Sequence, residues 1–326
     1  MTDVIVVGSV NMDLVVRVPR LPAPGETLAG RELLLVPGGK GANQAVAVAR
    51  MGQSVVLNGN VGDDGYGQTL LDGLRRNAVD VTAVAIKPAC SSGLAFINVD
   101  DQGQNAIVIL AGANGLLEPQ DVTRHEALWT GARILITQFE IQMPTVEQAV
   151  RMAKQHGLTV ILNPAPAAPM SAAQDVIAQT DYLILNETEL EVLTGIRPTS
   201  HGDLELAGRR LLEAGARVVI VTLGADGAAT VEPRSCEFVP AVRVDAVDTT
   251  AAGDAFIGAF AAALLRGEPL RACVAFANRA GALAVTRPGA QPSLPTYAEV
   301  EAFERPSPQS TVQESAHTHL RGGASR

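Results

Sequence analysis

Asp254 ends the run Asp248-Thr249-Thr250-Ala251-Ala252-Gly253-Asp254, and a pattern of small apolar residues continues from Ala255 to Leu265. That pattern reads as a helix and places residues 251–254 at its N-terminus. Backbone N–H groups there have no intrahelical acceptor, and the helix dipole adds positive potential. Small side chains at Ala251, Ala252 and Gly253 leave room for a phosphate to approach those donors, forming an anion hole for developing charge. From the first turn the Asp254 carboxylate can take a proton from an attacking hydroxyl, as phosphoryl transfer requires. The structural alternative is a carboxylate that only stabilises a helix start.

Four further clusters could serve the same chemistry. Pro37–Gln44 (PGGKGANQ) is a glycine-rich turn into a second helix. Gly38, Gly39 and Gly41 permit close ligand approach, and the Asn43 amide can both donate to and accept from a hydroxyl. Lys40 brings a charge able to attract phosphate. The segment is neither GxxxxGK[ST] nor GxGxxG, so neither a P-loop nor a dinucleotide fingerprint is present. Asn11 and Asp13 lie two apart after the first strand pattern, so on an extended chain they point the same way and can grip vicinal hydroxyls. Their structural alternative is turn chemistry. Asn186-Glu187-Thr188-Glu189 follows a strand pattern, where open α/β sheets bind ligands; it also has the form of a helix cap. Thr222-Leu223-Gly224-Ala225-Asp226-Gly227 stands at another strand end, either lying against a nucleotide or simply turning a hairpin.

The elements that must hold these residues read as alternating strands and helices. Apolar β-branched runs occur at residues 3–8, 55–61, 133–137, 158–162, 182–185 and 217–222, with helical periodicity at 41–51, 145–156 and 203–214. The alternation predicts a parallel sheet covered on both faces. Residues 14–35 and 84–110 alternate without helical period, the second with a turn at residues 100–103, and predict antiparallel strands outside the main sheet, as a flap or as ordinary hairpins.

The 326 residues, 47% of them hydrophobic, suffice for one large core. With 25 basic and 34 acidic residues the net charge is −9, which disfavours nucleic acid as a partner. Cys90, Cys236 and Cys273 show no metal or disulfide spacing and suggest reduced thiols in the cytoplasm. No apolar run reaches membrane-spanning length, and residues 1–10 lack a signal-peptide pattern, so no membrane association is expected. Residues 304–326 are polar and aperiodic and are expected to form a disordered tail. His317 and His319 within it are weak metal candidates, more simply read as solvated.

Together the segments GSVNMDLV, PAPGET, PGGKGANQAVA, GNVGDDGYG, NPAPA, NETE, TLGADG, DTTAAGDAF and AVTRPGAQPS resemble, in order and spacing, the ribokinase branch of the PfkB carbohydrate kinase family. The resemblance spans roughly residues 3–303. It implies an α/β, three-layer sandwich with a central, mostly parallel sheet and a small β-sheet lid, the lid strands falling within about 11–36 and 84–111. It implies a homodimer formed through that lid.

Carried over by motif, Asn11, Asp13, Gly39, Lys40, Asn43 and Glu140 would hold sugar hydroxyls, with Asp254 as base. Asn186, Thr222, Leu223, Gly224, Ala225, Asp226, Gly227, Gly253 and Asn278 would lie around ATP, and Glu189 would help place Mg²⁺. The resemblance also implies a K⁺ site from Asp248 and Thr250 on one side and Ala284, Arg287, Gly289 and Ser293 on the other, with Pro288 stiffening the loop. The implied reaction is phosphorylation of D-ribose at its 5-hydroxyl. Deoxyribose, fructose or a nucleoside remain alternatives within the family, and a sugar-binding regulator without catalysis is an alternative of another class.

Overall fold

The structure, a computed structural model, describes residues 2–303. The expected tail at 304–326 lies outside the described residues. Thirteen strands are described: β1 (Val4–Val7), β2 (Asn11–Arg17), β3 (Glu32–Gly38), β4 (Val55–Gly62), β5 (Asp80–Lys87), β6 (Gly93–Val99), β7 (Asn105–Leu110), β8 (Ile134–Gln138), β9 (Thr159–Asn163), β10 (Tyr182–Asn186), β11 (Val218–Thr222), β12 (Ala228–Glu232) and β13 (Ser235–Val239). The helices are α1 (Lys40–Arg50), α2 (Gly65–Arg76), α3 (Pro119–Thr123), α4 (Met143–Gln155), α5 (Met170–Ile177), α6 (Glu187–Thr194), α7 (His201–Glu213), α8 (Ala252–Leu265), α9 (Leu270–Ala284) and α10 (Tyr297–Ala302).

Nine strands form the main sheet in the order β13-β12-β11-β10-β9-β8-β1-β4-β5. All neighbours from β11 to β5 run parallel; only β12 and β13 at one edge are antiparallel. Side-chain alternation divides the core. In β1, Val4 and Val6 enter a cluster with α1, α2, α8 and α9, while Ile5 and Val7 enter another with α4, α5, α6 and α7. Both faces of the sheet are therefore covered by helices, which is why its central strands read as uninterrupted apolar runs.

The lid is a separate four-stranded sheet, β3-β2-β6-β7. Two features differ from the sequence expectation. First, its central pair, β2 with β6, runs parallel, with Asn11 opposite Gly93; only β2–β3 and β6–β7 are antiparallel. Second, residues 84–87 belong to β5 at the edge of the main sheet, paired in parallel with β4. A half-exposed edge strand alternates just as a lid strand does, so pattern alone does not separate them.

Helices α1 and α8 lie side by side through small residues. A Cβ on Gly258 would fall 2.4 Å from the Ala47 Cβ. Replacing Gly258 by alanine overpacks this contact, at a cost of about 1–3 kcal/mol. One turn before Ala47 stands Asn43, and one turn before Gly258 stands Asp254. The close approach of the two helices thus sets these two side chains against each other.

Candidate active site

Asp254 is buried in the first turn of α8. Asn43 Nδ2 donates to its Oδ2 at 3.0 Å, and Gln44 Nε2 donates to its Oδ1 at 2.9 Å. Burial pushes the Asp254 carboxyl above its ordinary range and Glu140 adds to the push; Lys40, Gln44 and Asn43 oppose it. Asn43 Oδ1 is buried and has no hydrogen-bond partner among the described residues. A hydroxyl donor from a ligand would satisfy it.

Ala251, at the N-cap, holds a left-handed backbone (φ 60°), and Ala255 N closes the first helical turn onto Ala251 O at 2.8 Å. Ala252 N reaches only back to Thr249 O at 3.3 Å, and the amides of Gly253 and Asp254 have no acceptor among the described residues. A Cβ on Gly253 would meet nothing within 4 Å, so open space lies over these donors. Free amides at Gly253 and Asp254 thus lie beside open space.

Around this centre, Glu140 Oε2 accepts from Lys40 N at 3.0 Å and from Ser9 Oγ. Burial pulls the Lys40 ammonium down, but Asp254, Glu140 and Glu189 together outweigh it, so Lys40 stays charged. Gly39 takes φ 86° directly before α1 because its backbone abuts Ser9, Val10 and Asn11; an added Cβ would lie 2.7 Å from Asn11 N.

Asn11 and Asp13 come from the lid strand β2. Asn11 Oδ1 accepts from Asn114 Nδ2 at 2.7 Å, and Asn114 Oδ1 in turn accepts from Val10 N at 2.9 Å. The Asp13 carboxyl is raised to about 7 by burial, by Glu140 and by Asp254. Asn11, Asp13, Lys40, Asn43, Glu140 and Asp254 are therefore one cluster.

Asn186 and Thr222 are paired in the β10–β11 ladder. Asn186 caps α6 reciprocally: its Oδ1 accepts from Glu189 N at 2.8 Å, and Glu189 Oε2 accepts from Asn186 N at 2.9 Å. Both readings of that motif are compatible, since the cap uses one carboxylate oxygen. Burial raises the Glu189 carboxyl, against the Asn186 amide and Lys40. Leu223–Gly227 turns the hairpin into β12, Leu223 N donating to Gly227 O at 2.8 Å. Asn278 on α9 donates to Val239 O at 2.9 Å, beside a 300 Å³ cleft lined by Val239, Pro240, Ala275 and Arg279.

The two halves of the expected cation site do meet. Asp248 accepts from Thr250 N at 2.9 Å and from Gly289 N at 2.8 Å, and Val247 N donates to Val285 O at 2.7 Å. Although burial pushes the Asp248 carboxyl up, these hydrogen bonds hold it below its ordinary range. The Arg287 guanidinium is engaged by Glu299 at 2.6 Å, and Ser293 Oγ donates to Ala290 O at 2.8 Å while keeping its lone pairs. A hard oxygen donor set of this kind suits an alkali cation. Among the described residues no cluster of three or more His, Cys, Asp or Glu side chains forms a metal centre.

With this geometry in view, the pattern of pfkB family carbohydrate kinases matches residues 1–297. The chain belongs to the pfkB family of carbohydrate kinases. Within the family it is similar to the ribokinase of Schizosaccharomyces pombe, at 40% identity over 92% of this chain and 97% of that protein. It is also similar to the deoxyribokinase of Salmonella typhi, at 36% identity over 92% and 98%. An Arabidopsis thaliana ribokinase solved in complex with ribose and ATP superposes with a TM-score of 0.83, at 30% identity over 92% and 98%. Its activity class is that of an ATP-dependent sugar kinase.

Sequence reasoning missed Ser9, Gln44, Asn114, Gln138 and Asn163, all buried polar residues that hold the site. The one available signal was Gln44 itself, next to Asn43 in the glycine-rich motif.

Proposed function

We propose that this pfkB-family enzyme transfers the γ-phosphoryl group of ATP to the 5-hydroxyl of D-ribose. The observation that carries the reading is a buried carboxylate, Asp254, beside the free amides of Gly253 and Asp254 and within one cluster with the lid carboxylate Asp13. The pair Asn11 and Asp13 would take adjacent hydroxyls of a small furanose, and Asn43 Oδ1 and Glu140 would accept from others. Asp254 would receive the proton of the attacking hydroxyl, its ionised form favoured by Lys40, while the amides at 251–253 bind the phosphoryl oxygens. Catalysis is then mostly positioning and electrostatics.

ATP would lie along Asn186, Thr222 and the 223–227 turn, its base in the cleft beside Asn278. Bound Mg²⁺ would neutralise phosphate charge there, with Glu189 acting through water. A K⁺ ion would be held by oxygens of Asp248, Thr250, Ala284, Arg287, Gly289 and Ser293, and its charge would stiffen the loop leading into the anion hole.

The apolar side chains exposed on the lid, among them Ile107 and Ile109 at 51% and Val108 at 63%, support a dimer of two copies joined through their lids. No described helix is long and apolar enough to cross a membrane, and the three thiols are unpaired, which suits a cytoplasmic enzyme.

The test is ADP formation across ribose, 2-deoxyribose, fructose and nucleosides with K⁺ present. Ribose is expected to give the highest kcat/KM; a nucleoside preference overturns the reading. Deoxyribose is the second reading, carried by the match to a deoxyribokinase. Asp254→Asn is expected to lose about 10²–10⁴-fold in turnover.

A further inference from the structure

Behind Asp254 lies a chain of buried amides that none of the sugar or nucleotide contacts uses. It starts at a backbone carbonyl, Ile184 O in β10, which can only accept. Asn163 Nδ2 donates to it at 3.0 Å, so Asn163 Oδ1 must face the other way. That oxygen accepts from Gln44 Nε2 at 3.3 Å, and the same Nε2 donates to Asp254 Oδ1 at 2.9 Å. Gln44 Oε1 then accepts from Gln138 Nε2 at 2.6 Å. Gln44 and Gln138 are fully buried and Asn163 is nearly so. Gly8 leaves room for the last member: a Cβ there would lie 2.1 Å from Gln138 Oε1.

We infer that Gln138 and Asn163 are positioning residues for the base: they lock the Gln44 amide so that its NH₂ group, and never its oxygen, faces the Asp254 carboxylate. A side-chain amide has two nearly isosteric orientations. One donates to a carboxylate and stabilises its charge; the flipped one sets oxygen against oxygen and favours the protonated acid. Polarity fixed at the Ile184 carbonyl therefore passes through Asn163 to Gln44; Gln138 donates to the Gln44 oxygen at the opposite end, its own Oε1 buried without a hydrogen-bond partner among the described residues. The other charges facing Asp254 are Lys40 at the start of α1, Glu140 after β8, Asp13 on β2 and Glu189 on α6. Of these only Lys40 favours the ionised base, so the amide donors Gln44 and Asn43 share with it the task of keeping it ready.

The inference rests on Asp254 being the base. The experiment compares wild type, Asn163→Leu, Gln138→Met and Asp254→Asn in ribose-dependent ADP formation between pH 5 and 9. Loss of the lock is expected to move the acid limb of the kcat profile up by roughly one pH unit, the size of one charge-assisted hydrogen bond. At pH values on that limb turnover then falls by up to about tenfold, the alkaline plateau stays within about fivefold of wild type, and KM for ATP stays put. A purely structural role lowers the melting temperature and leaves the limb in place. Superimposed limbs for wild type and Gln138→Met overturn the inference, and that variant decides alone if Asn163→Leu does not fold, because Gln138 makes no other side-chain hydrogen bond among the described residues. Near-normal turnover in Asp254→Asn would instead remove the base assignment itself.

Discussion

Gly289 donates its amide to Asp248 at 2.8 Å, tying the loop after α9 to the segment that leads into α8. The carboxylate also accepts from Thr250 N, so one side chain orders both halves of the proposed cation site. Asp248→Ala leaves two backbone donors without their acceptor. It is expected to cost about 1–3 kcal/mol in a denaturant titration. It is also expected to flatten the response of turnover to added K⁺.

Gly253 and Ala251 separate folding from chemistry within one turn. A Cβ on Gly253 enters open space, so Gly253→Ala is expected to fold and to gain up to about 1 kcal/mol from helix propensity. That same methyl group occupies the volume over the free amides, so turnover should fall by about 10²-fold or more, measured as kcat with saturating ATP and ribose. Ala251 has φ 60°, a conformation glycine reaches at no steric cost. Ala251→Gly should stabilise the fold by about 0.5–1 kcal/mol after the added flexibility of the unfolded chain is subtracted, read as a higher denaturant midpoint.

Asp13 predicts an unusual pH dependence of stability. Its carboxyl is raised from 3.8 to about 7 in the folded protein. Between those values the native state holds a proton that the unfolded chain has released. Its contribution is therefore fully present below 3.8 and is lost as pH rises through about 7. Asp13→Asn removes this dependence. Relative to wild type the variant should gain on the order of 2 kcal/mol more at pH 8 than at pH 5, by guanidinium unfolding at both. Affinity for ribose should fall at the same time, since the buried charge is kept for its acceptor capacity.

The lid offers a fourth test. Val108→Lys places a charge in the middle of β7, whose residues are all exposed in the single chain. If the proposed lid contact joins two copies, sedimentation should move from dimer in the wild type to monomer in the variant. Sedimentation of the variant as a dimer would show that the contact lies elsewhere.

Much of the scaffold was legible because each central strand carries its own signal. β10 and β11 were expected at 182–185 and 217–222 and lie at Tyr182–Asn186 and Val218–Thr222. The two helix starts at Gly39 and Ala251 were legible because glycines and small residues cluster there for a steric reason. The parallel pairing of β2 with β6 was not legible, because it joins segments that share only alternation, and nothing local encodes their register. Nor was the amide chain. Gln138 and Asn163 are single uncharged polar residues at the ends of apolar strands, 94 and 119 positions from Gln44, and only the strand order β10-β9-β8-β1 brings them behind Asp254.

The proposed sugar contacts are split between two bodies: Asn43 and Glu140 belong to the main sheet and its helices, whereas Asn11 and Asp13 ride on the lid strand β2. Neither body alone makes a complete acceptor site. Under the proposed assignment a nucleotide arriving by itself would meet a base whose carboxylate oxygens are already engaged by Asn43 and Gln44, with no alcohol aligned against the terminal phosphate. On that proposal idle hydrolysis of the nucleotide by water would be disfavoured, and the energy donor would be consumed chiefly when a sugar bridges the gap between the two halves.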